Sequence, residues 1–291
     1  MQPVVSFEKV ETTGETLAQA RALCGPGHSQ VTPMVVRALL GHVTGQKGAW
    51  LLAHPEAPLS AEQVTKFADL LARALTGEPL AYLTGEREFY GLAFSVTPEV
   101  LVPRPETEGV VEAVIERARA RGERHLRIVD VGTGSGVVAV ALAVNLPAAR
   151  VIGVDIAAGA LGVARSNVEA HGVGERVSLV RGDLLSGLRG PFDVIAANLP
   201  YIASDVLPTL DVHRWEPGIA LDGGADGLDL VRRLIGQAPL RLAPGGLLTL
   251  EIGFDQGERV AALCRAAFPG APVEVRADLA GLERVVLVEG R

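Results

Sequence analysis

The stretch RIVDVGTGSGVVAVALAVN (127–145) decides the fold of this chain. Ile128 to Val131 form a short run of β-branched residues broken by one acid, which reads as a strand. Gly132, Thr133, Gly134, Ser135 and Gly136 then make a tight turn. From 136 to 145 a continuous apolar run without Pro reads as a helix. A strand, a glycine turn and a helix in that order form the first unit of a parallel α/β sheet.

The same alternation spreads outward from this unit. RVIGVDI (150–156), RVSLV (176–180), FDVIAAN (192–198) and LLTLEIG (247–253) are further strand-like runs, with helical stretches such as 157–171 between them. PVEVRAD (272–278) and ERVVLVEG (283–290) follow each other with only a short turn, so an antiparallel hairpin at the sheet edge is expected. The chain thus predicts a mostly parallel seven-stranded sheet that ends in an antiparallel hairpin. No internal repeat or low-complexity tract interrupts it.

Upstream the pattern changes. TLAQARALC, PMVVRALLGHV and AEQVTKFADLLARALTG (61–77) carry helical periodicity over 16–76. Val64, Phe67, Ala68, Leu71 and Leu75 share one face, with Ser60 as N-cap and Gly77 as the stop. Residues 1–85 are therefore expected to form a small helical bundle. Glu88-Phe89-Tyr90 and Ala93-Phe94-Ser95-Val96 flank Gly91-Leu92 and predict a hairpin. Proline at 98, 103 and 105 then fixes an extended path. Residues 86–108 are expected to be a structured connector, with 109–291 as the catalytic domain.

Bulk properties exclude several classes. A net charge of −7 over 291 residues makes no case for binding nucleic acid phosphates, and the first 85 residues carry six Lys/Arg against seven Asp/Glu. Cys24 and Cys264 are far apart and have no metal-ligand spacing, so neither a disulfide framework nor a zinc site is expected, and no metal. No signal peptide or membrane span is visible, and a cytoplasmic monomer is the expectation. Phosphate-loop, H-E-x-x-H and nucleophile-elbow motifs are absent. The six His are scattered and read as surface or loop residues.

The glycine turn is the first candidate site. Its glycines admit positive φ and close approach of a ligand, and the helix behind them presents N–H groups. Asp155 ends the second strand, where it can accept two ribose hydroxyls. Asp183 follows the third and can face an adenine amino group, with Leu184 packed on the ring. Gly134, Gly136 and Ala139 also satisfy the dinucleotide pattern G-x-G-x-x-[GA], so the glycines alone leave S-adenosylmethionine and NAD both open. Asp130, Asp183, the terminal hairpin and the tetrapeptide Asn198-Leu199-Pro200-Tyr201 favour S-adenosylmethionine, with S-adenosylhomocysteine as product.

That tetrapeptide follows a buried strand and resembles the [ND]-[PIL]-P-[YFW] signature of methyltransferases acting on planar nitrogens. The Asn198 side-chain oxygen and the Leu199 carbonyl are candidate acceptors for an –NH2 group, with Pro200 stiffening the loop and Tyr201 flanking the planar group. The four residues do not choose between an amide nitrogen and adenine N6, and Leu in second place leans toward rRNA adenine dimethyltransferases.

The rest of the chain resembles the HemK/PrmC family. GEPLAYLTGEREFYG (77–91), VLVPRPETE (100–108), DVGTGSG (130–136) and EPGIALDGGADGLD (216–229) carry the resemblance, which spans essentially the whole chain. It implies the class I S-adenosylmethionine-dependent methyltransferase fold behind a helical substrate-recognition domain. It also implies methylation of the glutamine N5 in the Gly-Gly-Gln loop of class-1 peptide chain release factors, with no direct nucleic acid contact. Asn198 to Tyr201 match the family's N-P-P-Y, with Leu199 in place of the first Pro. Arg104 and Glu216 either shape the acceptor entrance or form an ordinary ion pair. Glu251 is either a pocket residue or simply the end of its strand. An adenine-N6 methyltransferase acting on rRNA or DNA is the alternative, and a binding module without turnover is a third.

Overall fold

The computed structural model describes residues 5, 7, 11–23, 31–122 and 125–290. Cys24 and His28 fall outside them. Two compact units divide the chain at Gly85.

The first unit is helical: α1 (Thr13–Leu23), α2 (Pro33–Thr44), α3 (Gly48–Ala53), α4 (Ala61–Leu75) and α5 (Leu80–Thr84). Leu39, Leu40, Leu51, Phe67 and Leu71 fill its core. α4 begins on a full capping box: the Ser60 hydroxyl accepts from Gln63 N at 3.2 Å, and Gln63 Oε1 accepts from Ser60 N at 2.9 Å. Each bond satisfies a backbone N–H that has no partner inside the helix. α5 is one turn more than the periodicity predicts, because five residues between Pro79 and Gly85 are too few to show a repeat.

The second unit begins with a hairpin of β1 (Glu86–Phe89) and β2 (Leu92–Ser95). Phe89 pairs with Leu92, so the turn is Tyr90-Gly91, one residue earlier than Gly91-Leu92. Both turn residues have positive φ, 52° and 72°, which matches the twist of a two-residue hairpin. Residues 86–108, read above as a connector, group with this unit. After a 3₁₀ turn at Pro105–Thr107, α6 (Glu108–Arg121) leads into the main sheet.

That sheet comprises β3 (Arg127–Val131), β4 (Arg150–Asp155), β5 (Val177–Arg181), β6 (Phe192–Asn198), β7 (Leu242–Glu251), β8 (Val273–Ala277) and β9 (Glu283–Glu289). Its order is β5-β4-β3-β6-β7-β9-β8, and β9 alone runs antiparallel, to both of its neighbours. The expected fold class stands, with the last strand inserted inside the edge. Alternation along the strands separates two cores. Ile128, Val194 and Ala196 pack with α6 and with α7 (Val137–Asn145), whereas Val129, Ile195 and Ala197 pack with α9 (Asp229–Gln237) and α10 (Gly257–Ala267). α8 (Ala158–Ala170) links β4 to β5. Chain order reverses between β3 and β6, so a crevice opens at the carboxyl ends of these two strands, the usual ligand position in such sheets.

Ser60→Ala removes one half of the capping box. It is expected to cost the first unit about 1 kcal/mol, seen as a lower urea midpoint and faster amide exchange across the first turn of α4.

Candidate active site

A cavity of about 380 Å³ occupies that crevice. The loops after four parallel strands supply its walls. Gly132, Thr133, Gly134 and Ser135 follow β3; Asp155 ends β4; Asp183 and Leu184 follow β5; Asn198, Leu199 and Pro200 end β6. Arg104 and Thr107 line it from the segment before α6. Gly136, Tyr201 and Glu216, also singled out in the sequence, do not line it.

The glycine turn is held from within. Gly132 N and Thr133 N both donate to the Val154 carbonyl, at 2.8 and 2.9 Å, and Gly136 N donates to Thr133 O at 2.7 Å. Asp155 fixes the remaining geometry: its Oδ2 accepts from Gly134 N and its Oδ1 from Ala157 N, each at 2.9 Å. Asp130 Oδ2 accepts from the Thr133 hydroxyl at 2.6 Å and from Ala139 N at 3.2 Å. One N–H of the helix behind the turn, expected to face a ligand, is therefore taken by Asp130. Burial pushes the Asp130 carboxyl up to about 7, against the two hydrogen bonds, and the neighbouring Asp155 adds to the rise.

Gly132 has φ 75°, and a Cβ there would lie 3.0 Å from Leu199 Cδ2 and 3.2 Å from the Asn198 carbonyl oxygen. The two loops at the switch point therefore touch at a position where the space is tight and the positive φ strains any residue with a Cβ. Asn167 of α8, fully buried, braces the turn from behind. Its amide donates to Ser135 O at 2.8 Å and to Ser95 O at 2.9 Å, and its carbonyl accepts from Ser95 N at 2.8 Å. Sequence reading missed it, since an asparagine inside a helix carries no sign of partners on β2.

Two ion pairs stand at the rim. Arg233 of α9 binds Asp183 through Nη2, and Arg104 Nη2 binds Glu216 Oε1. Glu216 is buried, and its Oε2 also accepts from Val102 N at 3.0 Å. This pair thus straps the 102–104 segment to the loop after β6.

On the acceptor side, Asn198 Nδ2 donates to the Thr107 hydroxyl at 3.0 Å. Asn198 stands opposite Glu251 in the β6–β7 ladder. Burial pushes Glu251 up to about 7; the Thr107 and Tyr201 hydroxyls and Arg284 favour its charged form, and Glu106 opposes it. Tyr201 is pushed up to about 12, chiefly by burial and next by Glu251. Its phenol is directed at Glu251, and its carbonyl accepts from Gln256 Nε2 at 2.9 Å. Among the described residues no cluster could hold a metal ion, and no helix is long and apolar enough to cross a membrane.

Comparison with known proteins bears on both units. The PrmC N-terminal domain family matches residues 15–85, and the ribosomal protein L11 methyltransferase (PrmA) family matches residues 105–212. The release factor glutamine methyltransferase of Moorella thermoacetica is 43% identical over 282 residues, covering 96% of this chain and 99% of that one. Its counterpart from Bradyrhizobium diazoefficiens is 39% identical over 281 residues, covering 94% and 95%. This chain belongs to the release factor glutamine methyltransferase family. Among solved structures, the 16S rRNA N2 G1207 methyltransferase of T. thermophilus, in complex with AdoMet and guanosine, aligns with TM-score 0.52 at 20% identity. That match covers 71% of this chain and 50% of the other, and the likeness is one of fold. The fold is that of the class I methyltransferases, which fits the family.

Two outcomes test this geometry. Asp130 stays protonated in the folded protein up to about pH 7, whereas the unfolded chain ionises near the ordinary 3.8. The native state then binds more protons across that window, so stability falls as pH rises through it. Asp130→Asn removes this dependence, and its Tm relative to wild type should rise between pH 5 and 8; a flat difference would refute the burial account. Gly132→Ala should lower Tm more than Gly122→Ala, whose φ of 64° is similar but whose Cβ would meet nothing within 4 Å.

Proposed function

We propose that this protein transfers a methyl group from S-adenosylmethionine to the side-chain amide nitrogen of the Gly-Gly-Gln glutamine in class-1 peptide chain release factors. The observation that carries the reading is the bond from Asn198 Nδ2 to Thr107, which leaves Asn198 Oδ1 as an acceptor at the cavity. Among the described residues no donor occupies that oxygen or the adjoining Leu199 carbonyl.

The cavity suits the proposed cofactor. Its size is within the range of small-molecule sites. Asp155 would take the ribose hydroxyls on lone pairs that its two backbone bonds leave free. Asp183 and Leu184 would hold the adenine, with Gly132, Thr133, Gly134 and Ser135 forming the floor and Asp130 and Gly136 supporting it. The N–H groups of Gly132, Thr133, Gly134 and Gly136 are already engaged, so the turn offers few donors to a pyrophosphate. Asp155, which forms no ion pair among the described residues, suits a cationic sulfonium better than a polyanion.

When bound, S-adenosylmethionine supplies an electrophilic methyl on a positively charged sulfur. An amide nitrogen is a poor nucleophile because its lone pair is delocalised into the carbonyl. Asn198 Oδ1 and the Leu199 carbonyl would accept both N–H hydrogens, orient the nitrogen and stabilise the positive charge that develops on it. Held by Asn198 and Leu199, the nitrogen would take the methyl as its bond to sulfur breaks, and the amide proton would leave afterwards to water. No strong base is needed. Pro200 stiffens the loop, and Arg104 with Glu216 holds the entrance segment in place. The helical unit, residues 1–85, would contribute to holding the release factor, and no direct nucleic acid contact is required.

Radiolabelled methyl transfer to purified release factor tests the reading. Wild type should label the protein, and Asn198→Ala should lower kcat by roughly 10²–10³-fold, as for loss of one preorganised group at a transition state. Label on RNA or DNA instead would favour the adenine reading and sink this one.

A further inference from the structure

Glu251 has no role in the mechanism above, yet its placement calls for one. It is 2% exposed at the end of β7, and among the described residues its Oε2 has no hydrogen-bond partner. A buried carboxyl without an ion-pair partner destabilises a fold, and an apolar residue at a strand end would cost less. Arg284 favours its charged form from a distance but pairs with Asp278, through Nε at 3.1 Å, and forms no ion pair with Glu251.

The carboxyl faces the Thr107 hydroxyl, and that hydroxyl is the group Asn198 donates to. A threonine hydroxyl has one hydrogen and two lone pairs. Having accepted from Asn198, Thr107 must place its own hydrogen elsewhere, and the Glu251 carboxylate is the acceptor it faces. Were that acceptor missing, Thr107 could donate to Asn198 Oδ1 instead. The amide would then turn over and present its NH2 to the cavity, where it would repel the N–H groups of an amide substrate. The direction of the whole chain is therefore set at its buried end.

We propose that Glu251 is a positioning residue, which acts through Thr107 to hold the Asn198 amide with its oxygen toward the methyl acceptor. The proposal rests on the reading of Asn198 as the acceptor clamp. The Tyr201 hydroxyl faces the same carboxyl from the loop side and favours its charged form. The facing charges are Glu106, which opposes ionisation, and Arg284, which favours it. A protonated Glu251 can donate toward Thr107 and reverse the chain, so turnover should fall as the carboxyl gains its proton, near pH 7.

The test uses the full chain and purified release factor. Thr107→Val and Glu251→Ala should each lower kcat roughly 10–100-fold, the scale of a misplaced reacting group. KM for the release factor and cofactor affinity by calorimetry should stay within about threefold. The double variant should be no slower than the worse single one, because both break the same chain. Glu251→Gln carries a donor beside its acceptor oxygen, as the protonated acid does, and should be about as slow as Glu251→Ala at every pH. It should also lose the decline in kcat below about pH 7 that wild type shows, since the amide does not titrate. Unaltered kcat in Thr107→Val, additive losses in the double variant, or an acid limb that persists in Glu251→Gln would each overturn the proposal. If wild type labels the release factor and Asn198→Ala does not, these outcomes sink the Glu251 role alone. If wild type transfers no methyl, both readings fall.

Discussion

The contact between Gly132 and the Asn198-Leu199 segment is the constraint on which the site depends. Two loops leave neighbouring parallel strands where the sheet order reverses, and they meet so closely that a single Cβ would strike both a side chain and a carbonyl. One loop lines the cavity at the end of β3 and the other at the end of β6. Their separation is set by a buried side chain, Leu199, and a backbone carbonyl, Asn198, packed against the glycine. An in-line displacement needs that economy of motion, because misplacing the reacting atoms by about 1 Å can cost a hundredfold in rate.

Around this contact the protein buries an unusual set of polar groups, and each has a geometric task. Asp130 ties the turn to α7, Asn167 ties it to the β1–β2 hairpin, and Glu216 ties the entrance segment to the loop after β6. The hairpin is therefore part of the support of the cavity, through bonds from Ser95 to Asn167 and from Tyr90 N to Glu108 Oε1 at 2.8 Å. Burying such groups is costly unless their bonds are satisfied. Asp130 answers the cost with two hydrogen bonds and a raised pKa, and Glu251 with a raised pKa alongside an unpaired oxygen.

The fold was legible because its signal is periodic. Strands such as FDVIAAN and the terminal pair carry their own pattern, and the parallel order follows from the helices between them. The loops that line the cavity were legible because glycine and acidic residues at strand ends have a local chemical meaning. What escaped was non-local. Thr107 meets Asn198 across 91 positions and Asn167 meets Ser95 across 72, and no short-range pattern announces either bond. The turn at Tyr90-Gly91 was misplaced by one residue for a different reason. A tyrosine at φ 52° is a strained choice, held there by pairing of Phe89 with Leu92 rather than by its own preference.

Leu199 is where these threads meet. In the family pattern a proline stands there, and its ring would stiffen the backbone at that carbonyl. A leucine lacks that internal restraint, but here its side chain is 4% exposed and packs over Gly132, among the core residues on the α9 face of the sheet. Tertiary packing thus replaces the covalent restraint of a ring: the carbonyl is held because the side chain on the same residue has nowhere else to go. The same packing makes Leu199 the physical link between the two loops. A change in the glycine turn would then be felt at the Leu199 carbonyl directly, and the stiffness of the tetrapeptide becomes a property of the glycine turn as much as of its own sequence.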